Sequence, residues 1–386
     1  MKIIYLDNAA ATPVNLEVQK EMIRGMKIYG NPSSYNDLGR EAAKELYKAR
    51  IKVARFLGAH PEEIVFTGSG SEANNMAIMS LSSMGFKNRN EIVTTHIEHP
   101  SVLEPIKRLN FKGFKTVFVR IDQCGFIDVE DLISKINGKI LLVSIMYANN
   151  EIGTIEPINN VGKVVSSFRK RGIRFPLFHV DACQATGFLN MNVNSINADF
   201  LTFNGSKIGG PKGVGVLYVR RGTPLVPLIS GGGQEQGLRA GTENLPAILG
   251  LVKAIELIDI KEIARLTKLR DYFLSKLKVI LPETKINGPI RELRLPNNIN
   301  ISIPEMDSEN LLLELDKHGI SAGSGSACTS RAVEPSHVLK AIGVGRKYLS
   351  GALRFSMGKE TTKSDIDYVL KVLPKVIRDL KNRYGK

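Results

Sequence analysis

The sequence predicts an α/β protein in which a large, mainly parallel sheet is followed by a smaller α+β unit. Two observations carry this. Up to Val219, short β-rich runs alternate with segments of helical period. That alternation implies strand–helix–strand units with helices on both faces of one sheet. Beyond Pro282 the pattern changes to a few short strands set between longer helices.

The elements follow in order. Asn15 is suited to cap a helix over 16–28, and a charged amphipathic helix is expected over 38–57. Strands are expected at 64–66, 92–94, 116–119, 140–145, 177–180, 200–203 and 214–219. The run at 140–145 is almost wholly apolar, as befits a strand covered on both faces. Helical periods lie between most of the early strands, at 72–83, 101–109, 128–136 and 158–171. A long helical region covers 243–280 and stops before Pro282. Strands at 300–303 and 353–355 then alternate with helices at 308–317, 335–342 and 362–383. The division expected is a large domain over 15–260 and a small one made of 1–14 with 261–386.

Composition narrows the function classes. Lys and Arg outnumber Asp and Glu, 53 to 38, for a net charge of +15. Such a surplus can attract nucleic acid or an acidic protein. With no compact basic arm and no ladder of aromatic and basic residues, a Lys-rich surface without a nucleic-acid partner is the favoured reading. No apolar run approaches the ~18 residues of a membrane helix, and the apolar opening at 3–6 is too short for a signal peptide. Cys124, Cys183 and Cys328 are too scattered for a disulfide framework or a four-ligand zinc site. A cytoplasmic protein is expected, with any special cysteine acting as a thiol and no resident metal.

Five stretches carry chemistry. Phe66-Thr67-Gly68-Ser69-Gly70-Ser71 reads as a strand end, a Gly/Ser loop and a helix start. Gly lets the backbone aim its N–H groups at one point and the helix N-terminus adds positive potential, which suits a phosphate with the Ser71 hydroxyl as a further donor. The alternative is a plain turn capped by Ser71. Asp181 follows the strand at 177–180, where a carboxylate needs a partner to be buried, and a protonated pyridine nitrogen would serve. Lys207 lies among small residues after the strand at 200–203. In a desolvated pocket its amine would become a competent nucleophile toward a carbonyl. Phosphate cradle, strand-end Asp and strand-end Lys, in this order, match what pyridoxal 5′-phosphate requires.

Cys328 sits in Gly323-Ser324-Gly325-Ser326-Ala327-Cys328-Thr329-Ser330. A thiol amid Gly and Ser on an exposed loop is open to oxidation, which favours a nucleophilic role; Cys183 suits an apolar, structural setting instead. Arg354 lies inside the apolar strand around 353–355. It needs an anion there: a carboxylate ligand held by its planar fork, or a structural salt-bridge partner.

Together these stretches resemble the cysteine desulfurases of the NifS/IscS type, in the class V aminotransferase group of fold-type I pyridoxal-phosphate enzymes. The resemblance runs nearly end to end. It includes Tyr5-Leu6-Asp7-Asn8-Ala9-Ala10, Gly30-Asn31-Pro32, Glu98-His99, Asn149-Asn150-Glu151-Ile152-Gly153, the stretch from Gly231 to Thr242, and Arg354-Phe355-Ser356. The residues around Cys328 resemble the long-loop group of that family.

The resemblance implies roles. Lys207 would hold the cofactor covalently, Asp181 would pair with its ring nitrogen, and Gln184 would contact its ring hydroxyl. His99 would stack on the ring and move protons. Gly70, Ser71, Asn204 and Ser206 would surround the phosphate, helped by Thr242 from the other subunit of a homodimer. Arg354 and Asn150 would hold the carboxylate of L-cysteine, Asn150 contacting the cofactor as well. Cys328 would take the sulfur as a persulfide and pass it to an acceptor such as an iron–sulfur scaffold, contacting a cluster during transfer. The chain departs from the family at Ser206, often His, and at Asn204, often Ser; both can still donate hydrogen bonds. The rival readings are a selenocysteine lyase and a catalytically weakened sulfur-transfer or RNA-associated assembly protein.

Overall fold

Seven strands form the central sheet of the computed structural model, which describes residues 3–83, 88–169, 174–325 and 335–384. The first half of the chain runs β1 (Ile4–Tyr5), α1 (Leu16–Met26), α2 (Asp37–Leu57), β2 (Ile64–Thr67), α3 (Gly70–Met79), β3 (Glu91–Thr94), α4 (Pro100–Asn110), β4 (Lys115–Phe118), α5 (Val129–Lys135), β5 (Ile140–Met146) and α6 (Ile158–Ser167). It continues with β6 (Leu177–Asp181), α7 (Val193–Ile196), β7 (Phe200–Asn204), β8 (Gly215–Val219), α8 (Leu245–Glu256) and α9 (Ile260–Ile280). Then come β9 (Lys285–Ile286), β10 (Asn298–Ser302), α10 (Ser308–Lys317), β11 (Ile320–Ser321), α11 (His337–Ala341), α12 (Arg346–Leu349), β12 (Ala352–Ser356) and α13 (Lys363–Tyr384).

Local chemistry sets the helix ends. Asn15 caps α1 by accepting from the Glu17 N–H, and Asn36 caps α2 by accepting from the Gly39 N–H. α2 stops at Gly58, whose φ of 65° closes the helix in the left-handed region. The single helical region expected over 243–280 is two helices. Leu257 and Ile258 continue the apolar period, which hides the break, but Asp259 accepts from the Lys261 N–H and starts α9 afresh. The helix expected over 158–171 ends at Ser167.

The central sheet has the order β2-β8-β7-β6-β5-β3-β4. The five strands from β7 to β4 are mutually parallel. β8 runs against both β7 and β2, so β2 points the same way as the parallel five. Every residue of β5 is buried, because helices cover both faces of the sheet. One apolar cluster joins α2, α6 and α8 to one face. A second joins α3 and α4 to the other.

A separate apolar cluster lies in the rest of the chain. β10 is the middle strand of an antiparallel sheet, β12-β10-β9. Phe273, Leu277, Ile299, Phe355, Ile366 and Leu373 bring α9, this sheet and α13 together. Ile4 and Leu6 belong to this cluster as well, and β1 pairs in parallel with β11. The opening residues therefore cross from the second core to the carboxyl edge of the first.

Candidate active site

In a doubly wound sheet, ligands bind beyond the carboxyl ends of the strands. The ends of β2, β3, β5, β6 and β7 all open on one edge, and the residues singled out above sit there. Asp181 closes β6 and is buried. Its Oδ2 accepts from Asn74 Nδ2 at 2.8 Å and its Oδ1 from the Cys183 N–H at 3.0 Å. Lys207 ends the single turn after β7. Its Nζ donates to the carbonyl of Ala9 at 2.9 Å and to that of Ala10. Gln184 Nε2 donates to the same Ala9 carbonyl, also at 2.9 Å. The segment 8–10 is pinned in turn by Ser356, whose Oγ accepts from the Ala9 N–H at 2.8 Å and whose carbonyl accepts from Asn8 Nδ2.

His99 caps α4, its Nδ1 accepting from the Ser101 N–H at 3.0 Å. Burial pushes its pKa down, against the opposing pull of Asp181. A backbone N–H can only donate, so the neutral ring carries its proton on Nε2. Ser101 Oγ, 2.7 Å from Nδ1, also receives Asn74 Nδ2 at 2.8 Å. An unbroken hydrogen-bond chain thus runs from His99 through Ser101 and Asn74 to Asp181. Just ahead of His99, Glu98 is fully buried and bonded to Thr95 at 2.7 Å, with its pKa raised well above the usual range, chiefly by burial.

The β2–α3 loop is shaped by close approach. A side chain at Gly70 would place its Cβ 2.7 Å from Cys183 Sγ and 2.8 Å from Asn204 Nδ2, so any larger residue would have to push one of them aside. Ser69, not Ser71, caps α3, accepting from the Glu72 N–H; Ser71 lies exposed in the first turn. Ser206 Oγ donates to Asn204 Oδ1 at 3.1 Å, and Asn204 Nδ2 points to Cys183 Sγ at 3.6 Å. Cys183 is therefore flanked by polar groups rather than by the apolar surroundings expected. Burial and the neighbouring Asp181 push its thiol well up, which makes it a poor nucleophile.

Arg354 is buried in β12. It makes an ion pair with Asp7 at 2.8 Å through Nη2 and donates to the Asn150 carbonyl at 2.9 Å through Nη1. Its Nε is buried with no partner among the described residues. Asn150 takes part through its backbone in this contact. Cys328 lies outside the described residues. The segments on either side of it converge on Glu151: Ser336 Oγ donates to Glu151 Oε2 at 2.5 Å, and a Cβ at Gly325 would fall 2.0 Å from the same oxygen.

Thr242 is exposed between a turn at Gln234–Gly237 and α8, and among the described residues no hydrogen bond ties it to this cluster. Nor does it cap α8; Asn244 does, accepting from the Ala247 N–H. A cavity of about 970 Å³ touches Lys207, Asn8 and Thr12 but none of Asp181, His99, Gln184 or Arg354. The cavity adjoins the cluster, and the chemistry lies with the cluster. Sequence reasoning missed Asn74, Ser101, Asp7 and the Ala9 carbonyl. Asp7 alone carried a signal, as an acid beside an apolar strand.

Residues 4–369 match the family described as Aminotransferase class-V. The chain is 44% identical to the cysteine desulfurase IscS of Dictyoglomus turgidum, over 98% of this chain and 95% of that one. It is 43% identical to the cysteine desulfurase IscS of Clostridium botulinum strain Hall, over the same shares. A solved NifS-like protein superimposes with a TM-score of 0.90 at 38% identity, covering 97% of this chain and 99% of that one. SspA in complex with cysteine superimposes with a TM-score of 0.80 at 32% identity, over 92% and 98%. A strand-end lysine, a strand-end aspartate and a chain of relatives matched from end to end agree: the protein belongs to the aminotransferase class-V family.

Proposed function

We propose that this chain is a pyridoxal-phosphate-dependent cysteine desulfurase, which converts L-cysteine to L-alanine and keeps the sulfur as a persulfide on Cys328. The observation that carries the reading is the shared acceptor at Ala9. It sets the Lys207 amine beside Gln184, three residues beyond Asp181, at one strand edge.

The residues present fit the cofactor. Asn74 Oδ1 and Arg354 Nε are buried polar atoms without partners among the described residues, and the donor set at the strand ends suits an anion and a pyridine ring. Lys207 would bind the cofactor covalently, with Asp181 on the ring nitrogen, Gln184 on the ring hydroxyl and His99 against the ring face. Gly70, Ser71, Asn204 and Ser206 would receive the phosphate, with Thr242 of a second copy. When bound, the group supplies an electron sink for charge developing at the substrate α-carbon. Arg354 and Asn150 orient the substrate carboxylate, Arg354 Nε supplying an unused donor. Lys207 takes the α-proton once its amine is released. His99, neutral and protonated on Nε2, offers that proton to the reacting region. The Cys328 thiolate attacks the substrate sulfur; a sulfur–sulfur bond forms, the carbon–sulfur bond breaks, and protonation of the carbon completes alanine.

The sulfur then passes to an acceptor protein such as an iron–sulfur scaffold. The reading includes two domains, 15–260 and 1–14 with 261–386, which the separate apolar clusters support. It also includes a homodimer, consistent with exposed Leu228 and Ile229. The cytoplasm, where thiols stay reduced, suits Cys328, and no helix among the described residues is long and apolar enough to cross a membrane. Borohydride treatment of the cofactor-supplied protein, followed by peptide mass mapping, tests the reading. A reduced cofactor adduct on Lys207 supports it; an unmodified Lys207 overturns it.

A further inference from the structure

The turn at 234–237 contains three consecutive residues with positive φ: Glu235 at 47°, Gln236 at 60° and Gly237 at 77°. Two of them are not glycine, so the conformation is strained, and such strain persists only where surrounding contacts over-determine it. The contacts are specific. The turn lays Glu235 and Arg239 against the two ends of the β2–α3 loop. Glu235 Oε2 accepts from the Phe66 N–H at 2.8 Å, at the strand end of the loop. Arg239 Nε donates to Glu72 Oε1 at 2.9 Å, at the helix end.

Glu72 is the critical charge. Its Oε2 accepts from the Gly68 N–H at 2.9 Å. A carboxylate in the first turn of α3 competes with any phosphate for the positive potential and N–H groups gathered there. Arg239 offsets that charge at both oxygens, its Nε on Oε1 and its Nη2 3.5 Å from Oε2.

We propose that Arg239 is a positioning residue for the cofactor phosphate: held just beyond the strained 234–237 turn, it pairs with Glu72 and offsets the charge that would repel an anion at the β2–α3 loop. This rests on the reading that the loop receives that phosphate. Arg239 sits three residues before Thr242, so the same turn fixes the segment offered to a second copy.

The test compares pyridoxal 5′-phosphate with pyridoxal, which has the same ring and aldehyde and lacks the phosphate. The full chain, stripped of cofactor, is titrated with each by absorbance. Arg239→Ala should weaken pyridoxal 5′-phosphate about tenfold and leave pyridoxal nearly unchanged, the scale of one lost charge-assisted interaction. Arg239→Lys, which retains the charge, should recover most of the loss. In a Glu72→Gln background, Arg239→Ala should have little effect, because the competing charge is gone. Equal loss for both ligands, or an undiminished loss in the Glu72→Gln background, overturns the proposal while leaving the phosphate loop in place. If the unaltered chain binds both ligands equally, the phosphate reading itself fails and the proposal with it.

Discussion

Arg50 and Glu235 meet fork to fork, with both guanidinium–carboxylate contacts at 2.7 Å and both residues buried. Arg50 also donates to the Ile64 carbonyl, and Glu235 accepts from the Phe66 N–H. The pair ties the 234–237 turn to β2. Breaking one side leaves the other charge buried alone, so Glu235→Ala should lower stability by about 3–5 kcal/mol. Urea unfolding followed by circular dichroism measures this; a loss below ~1 kcal/mol would show the pair to be loosely held.

Glu156 gives a pH dependence with a defined sign. Burial, helped by Asp122, pushes its pKa up to about 8, and its Oε1 is buried without a partner among the described residues. The folded state therefore binds a proton that the unfolded state releases near the usual glutamate value. Stability contributed by this group is intact below about pH 4.5 and declines as pH rises toward 8, by on the order of 5 kcal/mol in total. His179 acts oppositely at lower pH: burial pushes its pKa down to about 4, so its contribution grows as pH rises from 4 toward 6.5. Glu156→Gln isolates the first effect. The variant should lose the Glu156 share of the decline between pH 5 and 8 in urea midpoints, while the share due to buried Glu98 and the rise due to His179 remain.

Arg354→Lys should raise the KM for L-cysteine at least about tenfold and reduce kcat less, since a point charge cannot reproduce a planar fork on a carboxylate. Steady-state alanine production measures both constants. A drop confined to kcat would argue for a different carboxylate anchor.

Cys328→Ala should abolish sulfide release from L-cysteine with reductant present, with cofactor content unchanged by absorbance. Full turnover in this variant would place the sulfur elsewhere and revive the selenocysteine lyase reading.

Much of this was legible in the order of residues, for physical reasons. The apolar run of β5 announced a strand covered on both faces. Asp181 stood out because charge directly after an apolar strand needs a purpose, and Lys207 because it sits among small residues after one. Other features carried no local mark. The break at 257–259 was masked by Leu257 and Ile258, which keep the helical period going. The two-residue strands β1 and β11 exist only because they find each other across the chain. Asn74 reads as an ordinary helical residue until folding brings α3 against Asp181. The acceptor shared by Lys207 and Gln184 is a main-chain oxygen, and any residue at position 9 would have supplied one.

That oxygen has a practical corollary for anyone trimming the molecule. A fragment cut to begin at residue 15 would retain every strand of the central sheet and the whole of its apolar packing. It would nonetheless strip Lys207 and Gln184 of their common neighbour and remove Asp7, the counter-charge of Arg354. Such a fragment would keep the central sheet, lose Ile4 and Leu6 from the second core, and be chemically crippled.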